Sequence, residues 1–134
     1  MRYQNTLIAA CAAALLGFSP LLQAAEGNWK QGRIYYRMVC TDCHERETGS
    51  KIAPNEKTIA EWKEYFEKNV HGPQEGPHKY TVDYFVSKEF RESIKDTNRA
   101  AKKMLNVPDE KLLADVQAFV VHTAKDSDQP SGCE

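Results

Sequence analysis

The chain has no large excess of either charge: 18 Lys and Arg stand against 19 Asp and Glu in 134 residues, for a net charge of −1. A nucleic-acid-binding domain carries a strong basic excess, so that class is excluded. Nor is there an uninterrupted apolar run of about 20 residues, the length that spans a bilayer. The main apolar stretch, Leu7 to Leu22, is shorter and holds Ser19-Pro20 near its end. No internal repeat occurs and no pair of segments reads as paired strands, which leaves an all-α chain. Cysteine is scarce, with four in all. A second Cys-x-x-Cys and a His-x-x-x-His are both missing, and with them the further ligands of a structural zinc site. No nucleophile–base pair stands out, so nothing in the chain reads as an enzyme's catalytic residues.

The N-terminus has the form of an export signal. Arg2 supplies the positive start, Leu7 to Leu22 the apolar stretch, and Leu22-Gln23-Ala24-Ala25 a small-residue cleavage site. Residues 1–25 therefore read as a signal peptide cleaved near Ala24 or Ala25, with delivery to the periplasm. An uncleaved segment serving as a membrane anchor is the alternative. Ile8-Ala9-Ala10-Cys11 resembles a lipoprotein box, but too little apolar chain precedes Cys11. The remainder divides into one small domain, residues 26–125, and a polar tail, residues 126–134, that holds Cys133. Cleavage removes Arg2 alone among the charges, so the mature balance stays slightly acidic.

Within that domain lies Cys40-Thr41-Asp42-Cys43-His44. Cys-x-x-Cys-His is the attachment pattern of a c-type haem. Two thiols three positions apart each add across one vinyl group of the same porphyrin, and the imidazole that follows reaches the iron from one side. Cys40 and Cys43 are thus the expected thioether residues of one haem c, and His44 its proximal iron ligand. A redox dithiol would call for a βαβ pattern, which is absent. Attachment by this route takes place outside the cytoplasmic membrane, in agreement with the signal.

The mature region reads as helices joined by loops. Asn28 to Met38 forms the first and delivers the motif, with Gly32 and Tyr36 on one face. A Gly inside a helix costs about 1 kcal/mol against Ala, so its presence points to a close neighbour. Glu47 to Glu56 is a polar loop. Thr58 with Glu61 forms a capping box for a second helix, whose stripe is Ile59, Trp62, Phe66 and Val70, ending at Gly72. His71 to Tyr80 is a loop, Ser87 to Lys95 a helix, and Asn98 to Lys103 a shorter helical turn. In the last helix Pro108 takes the first position, with Asp109 and Glu110 at its positive end. Leu112, Leu113, Val116, Phe119 and Val120 form its apolar face. His122 stands at its end, where a positive charge suits the dipole.

With these residues in place, the chain resembles a class I cytochrome c. The family carries a Gly and an aromatic one turn apart just before the haem motif, as Gly32 and Tyr36 stand here. The resemblance implies a small all-α cytochrome c fold, with the N- and C-terminal helices crossing around one covalently bound haem. Val116 and Phe119 match the partners at that crossing. Pro54 and Trp62 match, more loosely, a proline beside the haem and a tryptophan near a propionate.

The sixth iron ligand is left open by the residues. The resemblance points to a Met shortly before the C-terminal helix, and Met104 fits, although Ala100-Ala101-Lys102-Lys103 before it looks helical. Methionine also fills apolar gaps. His71 and His78, both in a loop, are the rivals, and either would give a bis-histidine haem of lower potential. Lys51, Lys57, Lys79, Lys102 and Lys103 are candidates to steer acidic partners to the haem edge. The function expected from the resemblance is single-electron transfer between a redox protein donor and acceptor, alone or as the haem subunit of an oxidoreductase. Contact with a membrane is then expected only through partner complexes or an uncleaved signal segment. The alternative is a haem ligand sensor or peroxidase with an open or displaceable sixth position.

Overall fold

The computed structural model describes residues 26–72 and 80–129. The expected signal segment, residues 1–25, and His78, Lys79 and Cys133 lie outside the described residues. Asn28 starts the first helix: its backbone is extended, and its side-chain oxygen accepts from the N–H groups of Lys30 and Gln31. Helix α1 (Trp29–Tyr35) then passes through a π-helical turn, Tyr36–Thr41, into α2 (Asp42–Thr48). The expected stop at Met38 is overrun because the chain offers no breaker until Gly49. There φ turns to +73° and the Gly49 N–H closes on the Glu45 carbonyl at 3.0 Å.

Helix α3 (Ile59–Lys68) starts on the expected capping box: Glu61 N–H donates to Thr58 Oγ1 at 3.2 Å, and Thr58 N–H donates to the Glu61 carboxylate at 2.7 Å. It ends on Asn69, in the left-handed region at φ 49°, earlier than Gly72. Asn tolerates that conformation better than most side chains. Val70 therefore falls beyond the helix and is exposed, while Trp62 is buried in the core and Ile59 and Phe66 pack against it. A single 3₁₀ turn, Tyr84–Val86, leads to α4 (Lys88–Ile94), capped by Ser87. Then come α5 (Arg99–Lys103), capped by Asn98, and α6 (Asp109–His122), with Pro108 as its cap. No strand occurs among the described residues, and no helix there is long and apolar enough to cross a membrane.

The domain is thus small and all-α, and its main packing is α1 on α6. A Cβ added at Gly32 would stand 1.9 Å from the Asp115 carbonyl oxygen, so the two backbones are in contact there. Tyr36, one turn on, sets its ring 5.4 Å from that of Phe119. Asp115 is fully buried at the same crossing, where it accepts from Asn28 N–H at 2.6 Å and pairs with Lys111. His122 stacks its ring on Trp29 at 4.3 Å. Leu112, Val116, Phe119, Val120 and Ala124 carry the apolar face into the core, with Leu113 at its margin.

Two further ties close the structure. Arg91, fully buried, donates to the carbonyls of Met104 and Val107 and to Asp109, and so binds α4 to the segment before α6. Past α6, Lys125 N–H donates to the Lys57 carbonyl at 2.9 Å, and the Asp126 carboxylate accepts from Ile59 N–H at 2.7 Å. The first residue of the polar tail is therefore an anchor for the start of α3.

Candidate haem site

Cys40 sits in the π-helical turn, and Cys43 and His44 follow in the first turn of α2. Positions three and four apart on a helix share a face, so the three side chains project together. π-Helical turns inside α-helices occur frequently at functional sites. The His44 carbonyl is held by the Thr48 hydroxyl at 2.8 Å. Both cysteines are unbridged and partly exposed. Burial, with the Cys43 thiol beside it, pushes the Cys40 thiol up to about 12, and burial raises Cys43 as well. A reactive dithiol needs thiols shifted the other way. Among the described residues, no three His, Cys, Asp or Glu side chains gather as a bare-metal site.

Two cavities adjoin the motif. One, of about 460 Å³, is lined by Cys40, Cys43 and His44 together with His71, Phe85 and Phe90. The other, of about 290 Å³, lies among Tyr36, Cys40, His44, Trp62, Tyr65 and His71, with Val116 and Val120 of α6. Cys40, His44, His71, Gly72 and Phe85 border both. Sites for cofactors are mostly apolar hollows of about 300–1,000 Å³ with a few convergent polar groups, and these walls answer that description.

The His44 and His71 rings lie together where the two cavities meet. Their ring centroids are 5.5 Å apart and their planes nearly perpendicular. Both residues border both cavities, so a group held there is within reach of two imidazoles. His71 is set by several groups. Its backbone N–H donates to the Tyr80 carbonyl at 3.0 Å, its Nδ1 hydrogen-bonds the Tyr65 hydroxyl, and Phe85 lies against its ring at 4.6 Å. Burial, then the His44 ring beside it, depresses its pKa and favours the neutral imidazole. Phe85 is in turn fixed from α1, because the buried Tyr35 hydroxyl donates to its carbonyl at 2.7 Å.

Met104 stands elsewhere. It caps α5, is buried in the hydrophobic core and lines neither cavity. Its N–H bonds the carbonyls of Ala100 and Ala101, and its carbonyl accepts from Arg91. The backbone that would have to carry it toward His44 is pinned on both sides. Trp62 donates its indole N–H to the Pro54 carbonyl at 2.7 Å, so that donor is already used within the protein. Of the expected lysines, Lys57 lines the second cavity, while Lys51 pairs with Glu45 and Lys102 and Lys103 sit on α5 away from both cavities.

The residues fit a haem. Cys40, Cys43 and His44 border the cavities, and a second imidazole, His71, lies beside His44. Tyr36, which lines the second cavity, has a buried hydroxyl with no partner among the described residues, as does Thr41 inside the motif. Such groups are costly unless something hydrogen-bonds them. Sequence reasoning missed Tyr65 and Phe85 as neighbours of His71. The available signal was weak: an aromatic three positions beyond Trp62 and a run of aromatics after the loop. No family model matches the chain, and no curated protein or solved structure matches it.

Proposed function

We propose that the protein is an exported monohaem c-type cytochrome of the class I kind, carrying single electrons between protein donors and acceptors. Cys40 and Cys43 would hold the haem through thioethers, and His44 and His71 would be its iron ligands. The observation that carries this reading is the His44–His71 pair, set across the Cys-x-x-Cys-His turn where two apolar cavities meet. The haem supplies the ferric/ferrous couple; the chain's residues orient and insulate it.

Each residue then has a defined task. His44 is anchored by its place on α2. His71 is held from α3 and from the Tyr80 carbonyl. Tyr36, Trp62, Phe66 and Val116 keep water from the second cavity, and a dry surround limits the reorganisation that accompanies a change of charge. Two imidazoles stabilise ferric iron more than an imidazole and a thioether do, which places the couple toward low potential. Lys57, at the rim of the second cavity, offers a positive charge to an acidic partner.

The test is spectroscopic. The full chain is produced with a haem-maturation system, and wild type is compared with His71→Ala and Met104→Leu. The expected outcome is haem retained under denaturation and a low-spin ferric spectrum without a sulfur-to-iron band. That spectrum should become high-spin in His71→Ala and stay unchanged in Met104→Leu. A sulfur-to-iron band in wild type that Met104→Leu abolishes would overturn the His71 assignment.

A further inference from the structure

We propose that the Tyr65 hydroxyl is the group that aims His71 at the iron and sets the potential of the bound haem, an inference that rests on the His44/His71 reading above. Tyr65 lies on α3, within a single fold of chain from His71, and its hydroxyl hydrogen-bonds Nδ1 of that ring. A ring occupied at Nδ1 has only Nε2 left for a metal. For Nε2 to offer its lone pair, the ring proton must sit on Nδ1, so Nδ1–H donates and the Tyr65 oxygen accepts. The contact therefore selects both the tautomer and the orientation of the ligand.

Tyr65 is itself held by its neighbours on α3. Its ring stands edge-on to Trp62 at 5.6 Å and to Phe66 at 5.4 Å. Trp62 is buried and tied to the Pro54 carbonyl. The line Pro54, Trp62, Tyr65, His71 thus transmits position from α3 to the ligand. An acceptor on Nδ1–H makes the imidazole a stronger donor, and a stronger donor favours ferric over ferrous iron. Tyr65 is in this sense a positioning residue, acting through His71.

Tyr65→Phe removes the oxygen and keeps the ring. In the haem-loaded full chain it should shift the ferric/ferrous ratio at a set potential about tenfold toward ferrous, a rise of about 59 mV for a one-electron couple. The reduced protein should bind carbon monoxide about tenfold more readily, the loss typical of an outer hydrogen bond to a metal ligand. Ile59→Val, on the same helix and lining neither cavity, is the packing control: it should lower the thermal midpoint and leave the potential in place. His71→Ala separates two failures. If it turns the ferric haem high-spin while Tyr65→Phe matches wild type in potential and carbon monoxide binding, Tyr65 is packing alone and this proposal falls. If His71→Ala leaves the haem low-spin, His71 is not the ligand and the parent reading falls with it. Equal shifts of potential in Tyr65→Phe and Ile59→Val also overturn the role of the hydroxyl.

Discussion

Where α1 crosses α6, backbone meets backbone; around His44 and His71 only rings meet, and two cavities adjoin them. The crossing depends on a side chain that is missing, since the Gly32 position has no room for a single added carbon. The ring pair depends on side chains that are present and individually tied, His71 by Tyr65 and Tyr80, Phe85 by Tyr35. A contact between backbones cannot yield, so changes there act on folding. A contact between side chains can adjust by rotation, so changes there act first on the chemistry of the site.

The strongest way to break this contrast is Gly32→Ala. The clash is with main chain of α6, which cannot rotate away, so the loss should exceed about 3 kcal/mol, the upper range of ordinary overpacking. Chemical denaturation of the haem-loaded protein measures it, and a midpoint equal to wild type would contradict the close approach. Met104→Leu sharpens the other side. Met104 is a core residue with a pinned backbone, so a change of similar volume should cost under about 1.5 kcal/mol by the same denaturation assay.

The smallest effect is expected away from both regions, at the α3 cap. Hydrogen bonds from the Thr58 backbone and hydroxyl hold the exposed Glu61 carboxyl below its ordinary range. A lowered folded pKa gives stability that is present above about pH 4.5 and is lost as pH falls through the folded value. Glu61→Gln should therefore be slightly less stable than wild type near neutrality, and thermal melts of the two should converge in acid. A gap that persists at low pH would mean that the carboxylate charge is not what caps the helix.

Much of this was legible from the residue order, where the cause is local. Thr58 and Glu61 announce a helix start because the capping box is a contact within four residues. Gly32 announces a close approach because a mid-helix Gly has no other return. Helix α3 ends at Asn69 rather than at the expected Gly72, since an Asn that adopts the left-handed conformation carries no outward mark until the chain around it is folded. The helix runs past the expected end at Met38 because nothing breaks it before Gly49, so the polar loop expected from Glu47 starts only there.

By itself the sequence determined the all-α class, a close approach at Gly32 and the short spacing that groups Cys40, Cys43 and His44. These follow from periodicity and short-range spacing, whereas the C-terminal helix as the partner of Gly32 was implied by the family resemblance alone. Only the tertiary structure decided which distant side chain stands opposite His44. Along the chain the family resemblance favours Met104, with His71 and His78 as loop rivals. Arg91 fastens the Met104 backbone into the core, whereas Tyr65, Tyr80 and Phe85 bring His71 to the cavity. Those contacts join residues from separate helices and turns, and no spacing within a single segment encodes them.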